Sequence, residues 1–261
     1  MSLLFIMSEK PYITIITSTF NAAQTLERCL ASVEHQTFPH IEHIIVDGGS
    51  TDGTVEIIKA HVQAKDSRIS WWISEPDRGV YNAWNKALPH IKGEWVHFLG
   101  ADDYLYASET IEQATLHLTE VDPQIPIAYG KMASFIPEQD GKIKEWRGKR
   151  WEIMKKQFFK GMSLPHPSTF HRSTLFTEYG GFDESFRIAG DYDFLIRVLK
   201  GHDAYFMDLP IAMMQTGGLS TNVAYTVPLV HEVYRVMKKN KLGNIFKYIW
   251  YYLNYLISKG K

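Results

Sequence analysis

Asp102 and Asp103 are adjacent carboxylates, the hard oxygen ligands that suit Mg2+ or Mn2+. With diphosphate oxygens and water completing the shell, such a pair can neutralise charge on a phosphate leaving group. An Asp pair also suits a solvated turn, or a helix start near Ser108. Asp47 precedes Gly48 and Gly49. Its carboxylate can accept from a base imide or a ribose hydroxyl, and glycines let a ligand approach the backbone; a strand-ending turn uses the same residues. Arg78 offers a planar fork for phosphate oxygens, unless it pairs with Asp77 or Glu75. Asp191 can take a proton from an attacking hydroxyl, or cap a helix. Asp193 lies two residues on, and the one not used as base is free to hold Arg187 or Arg197. His166 and His171 flank Pro167-Ser168-Thr169, where each can meet an acceptor group or serve structurally.

These residues need elements to bring them together. Residues 12–17 are a β-rich run suited to a strand buried on both faces. Leu26, Leu30 and Val33 mark a helix ending before Pro39. Cys29 lies on that apolar stripe and reads as core. Residues 43–46 form the next strand, 54–61 a helix, 69–73 a strand, 81–88 a short helix and 94–99 a strand. Alternation of this kind predicts a mostly parallel α/β sheet with helices on both faces, whose ligands sit beyond the carboxyl ends of the strands. Those ends carry Thr17, Ser18, Phe20 and Asn21; then Asp47, Gly48 and Asp52; then Arg78; then Asp102 and Asp103. All are candidate donor-side residues, converging on one crevice.

The second half is less regular. Gly141 is placed to turn a hairpin between Phe135 and Trp146, and residues 164–167 read as an extended polar connection. Phe194, Leu195, Val198 and Leu199 mark a helix opened by Gly190 and Asp191. Residues 245–257 are rich in aromatics. The chain has 261 residues, 45% hydrophobic and 22% charged, with a net charge of −1. That is an ordinary globular composition with no basic field for nucleic acid. One cysteine fits a reducing, cytoplasmic compartment. The opening stretch to Met7 is too short and uncharged for a secretory signal, and no run reaches the roughly 18 apolar residues of a membrane span.

Taken in order, Thr17-Ser18-Thr19-Phe20-Asn21, Ile45-Val46-Asp47-Gly48-Gly49-Ser50-Thr51-Asp52-Gly53-Thr54 and Gly100-Ala101-Asp102-Asp103 resemble the family 2 glycosyltransferases of GT-A fold. The likeness runs from about Pro11 to Leu219. The run from Ser74 to Lys86, and Arg187-Ile188-Ala189-Gly190-Asp191-Tyr192-Asp193, resemble the subgroup that builds bacterial surface polysaccharides. The resemblance implies an inverting, metal-dependent transfer from a nucleotide-diphosphate sugar, with UDP the expected nucleotide, to a hydroxyl of a glycan or lipid-linked acceptor. It implies that Ser18 and Phe20 line the nucleobase, Asp47 reads uracil, Asp102 is the last acid of the D-x-D metal motif and Asp191 is the base. Asp103 is expected to support the metal site, and His166 and Arg187 to meet the acceptor. The expected organisation is a GT-A domain over 8–222, with donor side 8–107 and acceptor side 108–222, and a helical extension over 223–261.

Three departures from the family pattern stand out. Gly100 replaces the first acid of D-x-D, Gly190 replaces the acid often found before the base, and Phe20 stands where Tyr is frequent. Two rivals fit less well. A sugar-1-phosphate nucleotidyltransferase usually carries a glycine-rich basic loop after the first strand, and this chain has none. A non-catalytic sugar-nucleotide-binding protein is compatible with the two glycines. Lys149, Arg150, Lys155, Lys156 and Lys160, with the C-terminal aromatics, fit either peripheral contact with an anionic inner membrane face or packing within the protein.

Overall fold

The structure, a computed structural model, describes residues 12–136, 142–216 and 225–242. Strands β1 (Ile13–Thr19), β2 (Ile41–Asp47), β3 (Ile69–Ser74) and β4 (Trp95–Phe98) are parallel, ordered β3-β2-β1-β4. Each connection crosses over through a helix: α1 (Leu26–Glu34), α2 (Thr54–Gln63) and α3 (Val80–Ala87). β1 and β2 are buried almost throughout, as central parallel strands must be when both faces are covered. Their side chains alternate between two cores. Ile13, Ile15 and Ile45 pack with Leu26, Cys29, Leu30 and Val33 of α1; Ile16, Ile44 and Val46 pack with Tyr81, Ala83 and Ala87 of α3. Cys29 is fully buried, and burial pushes its thiol up to about 12, so it is inert core.

The second half extends this sheet in a mixed fashion. It adds β5 (Tyr104–Leu105), β6 (Ile127–Ile136), β7 (Lys142–Arg147), β8 (Thr169–Arg172) and β9 (Ala204–Gln215). The order continues β4-β8-β6-β9-β5, with β7 on β6. β8 is antiparallel to β4 and β6, whereas β6 and β9 run parallel. Helices α4 (Thr110–Leu118), α5 (Trp151–Phe158), α6 (Leu175–Glu178), α7 (Gly190–Leu199) and α8 (Thr226–Lys239) cover the sheet.

The expected hairpin forms, with Ala133 opposite Trp146, although its turn residue Gly141 lies outside the described residues. The aromatic stretch 245–257 also lies outside them. Residues 164–167 are not simply extended. A 3-10 turn spans His166–Ser168 and draws His166 into the core, to 6% exposure. Val236 and Met237 of α8 pack in the same core as Phe194, Leu195 and Val198 of α7. Among the described residues no helix is long and apolar enough to cross a membrane.

Candidate active site

At the ends of β1 and β2 two loops knit together through side chains. Asp47 is fully buried. Its Oδ2 accepts from the Gly49 and Ser50 N–H groups and from Ser74 Oγ, and its Oδ1 accepts from Ser50 Oγ at 2.5 Å. Asn21, in the left-handed region at φ 49°, receives the Thr51 N–H and donates its own N–H to Ser50 Oγ. Asp52 accepts from Thr54 and from the Ala23 N–H, and the Thr54 hydroxyl holds its carboxyl below the usual range. Asn21 and Asp52, expected at the donor, therefore shape the loops. Thr17 is fully buried beneath them, its hydroxyl 2.9 Å from His43 Nε2, and the structure does not bring it to the crevice. Strand periodicity explains this: Thr17 shares the face of Ile15, against α1, while half-buried Ser18 faces the other way. Phe20 is 64% exposed beside Gly48. A Cβ on Gly48 would lie 2.7 Å from Asp77 Oδ2 and 3.3 Å from the Phe20 ring. Glycine thus keeps a flat floor between an exposed ring and a carboxylate.

Beyond β4, Asp102 and Asp103 converge over Gly100. A Cβ at Gly100 would be 2.9 Å from Asp103 Oδ2 and 3.0 Å from Asp102 Oδ1. Both carboxyls are pushed above the usual range. Burial is the main cause for each, and the Asp102 charge adds to it at Asp103. Asp103 Oδ1 accepts the Gln215 N–H, which fixes it from β9. Arg28, on α1, donates to the Asp102 carbonyl and to Gln215 Oε1, stacked over Tyr104 and Phe135. Two crowded carboxylates with raised proton affinity are a donor set that a hard divalent cation satisfies. Among the described residues no third His, Cys, Asp or Glu joins them, so oxygens of a substrate and water would complete the shell.

Asp191 stands in the first turn of α7, partly buried. Its Oδ1 accepts the Tyr192 N–H at 2.8 Å and the Tyr81 hydroxyl at 3.3 Å. Burial raises its carboxyl to about 6, against the opposing pull of those two donors. Asp193 is spent elsewhere. It is fully buried and binds Arg197, Lys239 and Asn240. Of the two acids only Asp191 opens onto cavities. One, of about 240 Å3, is lined by Asp191, Asp102, Asp103, His166 and Arg187 together. The other, of about 510 Å3, shares Asp191 and His166 and continues past Met132, Met162, Leu229 and Val233.

The remaining expected residues divide. Arg187 reaches the smaller cavity, and no described residue pairs with its guanidinium. His166 lines both cavities, stacked on Trp84, with Nε2 unpartnered; burial, then His171 and His97, push its pKa well down, so the ring is neutral. His171 is a core residue of β8. Arg78 is 77% exposed and pairs with neither Asp77 nor Glu75. It meets Glu184 at 2.5 Å, and Lys86 takes Glu75. Glu184 also receives Asn82 and Asn85 of α3, an interaction 100 residues away in sequence that no local pattern signals. Sequence reasoning also missed Asp77 beside Phe20, Arg28 beside the acidic pair, and Tyr81. The place of Asp77 directly after β3 was the available signal for it.

Comparisons with known proteins identify the family and the fold. The model described as Glycosyl transferase family 2 matches residues 14–177. A PGL/p-HBAD biosynthesis glycosyltransferase of Mycobacterium bovis is 31% identical over 219 residues, covering 82% of this chain and 80% of the relative. The putative teichuronic acid biosynthesis glycosyltransferase TuaG of Bacillus subtilis is 42% identical over 94 residues, or 36% of this chain and 37% of the relative. Among solved structures, S. aureus TarS 1-349 in complex with UDP-GlcNAc superposes with a TM-score of 0.69 at 21% identity. The mannosyltransferase PcManGT from Pyrobaculum calidifontis, in complex with GDP-Man and Mn2+, superposes with a TM-score of 0.67 at 20% identity. They cover 87% and 91% of this chain, which spans only 65% and 66% of theirs. The shared architecture is the GT-A fold.

Proposed function

The chain belongs to glycosyltransferase family 2, and on that premise we propose that it transfers a sugar from a nucleotide-diphosphate donor to an acceptor hydroxyl, with inversion and with Asp191 as base. One observation carries this: Asp191 forms a wall common to two cavities, one holding the acidic pair and the other running to an apolar recess.

In this reading the nucleobase stacks on Phe20, with Ser18, Gly48, Asp47 and Asp77 around it. Asp47 could read a uracil imide only if Ser50 turned its hydroxyl away. Asp102 and Asp103 would hold Mg2+ or Mn2+, which would supply positive charge to the departing diphosphate. Arg187, in the same cavity and without a partner for its guanidinium among the described residues, would add a second cation. Asp191 draws the proton from the acceptor hydroxyl as its oxygen attacks the anomeric carbon from the face opposite the nucleotide. The C–O bond to the diphosphate breaks in the same displacement, and the proton ends on Asp191 Oδ2, the oxygen without a partner among the described residues. A carboxyl near 6 suits a base at neutral pH. UDP is the expected nucleotide, in line with the UDP-GlcNAc complex of the TarS structure.

The larger cavity is lined by Met132, Met162, Leu164, Met214, Leu229 and Val233. That lining favours a lipid-linked acceptor over a free glycan, in surface glycan synthesis; the relatives are named for PGL/p-HBAD and teichuronic acid biosynthesis. Exposed Trp146 and Ile153 are interleaved in sequence with Lys149, Arg150, Lys155 and Lys156, which supports work at the inner membrane face. Sedimentation with anionic liposomes at low salt tests this; a chain left wholly in the supernatant overturns it.

The central test is a thermal-shift screen of UDP-, GDP- and TDP-sugars with and without Mn2+. A UDP-sugar should raise the midpoint, and more so with Mn2+. If no nucleotide sugar does, the donor assignment fails.

A further inference from the structure

Arg187, Ile188 and Ala189 present three successive N–H groups to one carboxylate. Glu232 Oε1 accepts from Arg187 N at 2.8 Å, and Oε2 accepts from Ile188 N at 2.8 Å and Ala189 N at 2.9 Å. Glu232 sits on α8, 45 residues away, and is 7% exposed. No lysine or arginine pairs with it among the described residues; its charge is met by the amide nest and the start of α7 just beyond. The same segment is held from the other side, where the Tyr81 hydroxyl donates to the Ile188 carbonyl at 2.7 Å. Residue 188 is thus gripped at both its N–H and its C=O, three residues before Asp191.

We propose that Glu232 is a positioning residue for transfer: it clamps the backbone of residues 187–189 and so fixes where the Asp191 carboxylate stands between the two cavities. The proposal rests on Asp191 being the base. A carboxylate that merely closed off a helix start would not need all three amides. Moreover, α8 has anchors of its own. Lys239 and Asn240 bind Asp193, Arg235 binds Ser185, and Val236 and Met237 pack in the core. Glu232 can therefore be altered without undocking its helix.

Both charge and reach matter. Glu232 adds negative potential near Asp191, whose other charged or titratable neighbours are Tyr81 from α3, His166, Arg187, the Asp102–Asp103 pair across the cavity and Arg147 from β7. Glu232→Gln keeps the length, removes the charge and turns an N–H2 group toward the amides. Glu232→Asp keeps the charge but is too short for all three bonds.

The test measures UDP release on hydrolysis of UDP-glucose, UDP-galactose and UDP-GlcNAc, with water as the acceptor that takes the sugar and gives its proton to Asp191, with Mn2+, across pH, in the full chain. Glu232→Gln should lower kcat at least tenfold with KM for the donor within twofold, and move the acidic limb of the rate profile to lower pH. Glu232→Asp should lower kcat with that limb unmoved. A Glu232→Gln enzyme within twofold of wild type in kcat, with its limb in place, overturns the proposal. Hydrogen exchange of the unmodified protein covers the case of a variant that does not fold. The amides of 187–189 should exchange at least tenfold more slowly than those of exposed loops, and free exchange there also overturns the clamp. Wild-type protein that neither binds nor cleaves any donor, or an Asp191→Asn enzyme with normal turnover, refutes instead the assignment on which the proposal rests.

Discussion

The ring of Tyr81 fills the space that a side chain on residue 190 would need: its Cε2 lies 2.7 Å from where a Cβ on Gly190 would stand. The same residue shares its single hydroxyl proton between the Ile188 carbonyl, at 2.7 Å, and Asp191 Oδ1, at 3.3 Å. Glycine at position 190 is thus a packing requirement of the Tyr81 ring. An aromatic from α3 takes the volume and supplies a neutral donor where a second carboxylate would have supplied repulsion.

Gly190→Ala should therefore destabilise the fold by about 1–3 kcal/mol through overpacking. In a Tyr81→Leu background the cost should shrink, because the ring is the obstacle. Denaturant melts of the two single variants and the double variant measure the coupling. Additive losses would contradict the contact.

Asp191→Asn should reduce turnover roughly 100- to 10,000-fold while leaving donor affinity intact. Wild-type kcat/KM should rise with pH through about 6, since only the ionised carboxylate accepts a proton. A rate profile flat from pH 5 to 8 would count against the assignment.

The same substitution should stabilise the fold. Burial raises Asp191 to about 6 in the folded state, above its unfolded value. A carboxyl raised on folding favours the native state below the unfolded pKa, and that contribution is lost as pH rises through 6. At pH 7.5 Asp191→Asn should thus be more stable by about 1–2 kcal/mol, discounted for the partial exposure of the group. The gain should vanish near pH 3, as urea titrations at both pH values would reveal.

Asp102→Ala should leave the metal-free melting midpoint nearly unchanged but abolish the extra stabilisation that Mn2+ brings to nucleotide binding. Calorimetric titration of UDP with and without Mn2+ reads this directly. A variant with undiminished Mn2+ dependence removes Asp102 from the metal site.

Phe20→Ala should weaken UDP binding by about 1–3 kcal/mol, the usual worth of one base stacked on an aromatic ring. Phe20→Tyr should be nearly neutral, as the stacking face survives. Equal binding by Phe20→Ala, in the same titration, would place the base elsewhere.

Much of the first half was legible in the chain itself. The runs at β1 and β2, the helix stripe Leu26-Leu30-Val33 and the polar strand ends are local patterns, and crossover rules turn local order into a parallel sheet. Which polar residues face the crevice was not legible. Thr17 and Ser18 differ only in the face of the strand they occupy, and that depends on where α1 packs. That Arg78 meets Glu184, on a distant loop, rather than Asp77 or Glu75 was not legible either. The extension of the sheet by β8 between β4 and β6 likewise needs pairing partners that no short window contains.

The sequence by itself determined the order of elements, the glycine and acid signature of each strand end and the family likeness, because these are properties of neighbours along the chain. The tertiary structure alone decided that Asp191 rather than Asp193 lines the cavities described, that Gly190 yields to Tyr81, and that a glutamate on α8 grips the backbone leading to Asp191. Those outcomes depend on desolvation and on contacts between residues 43 to 110 positions apart, and only folding brings such residues together.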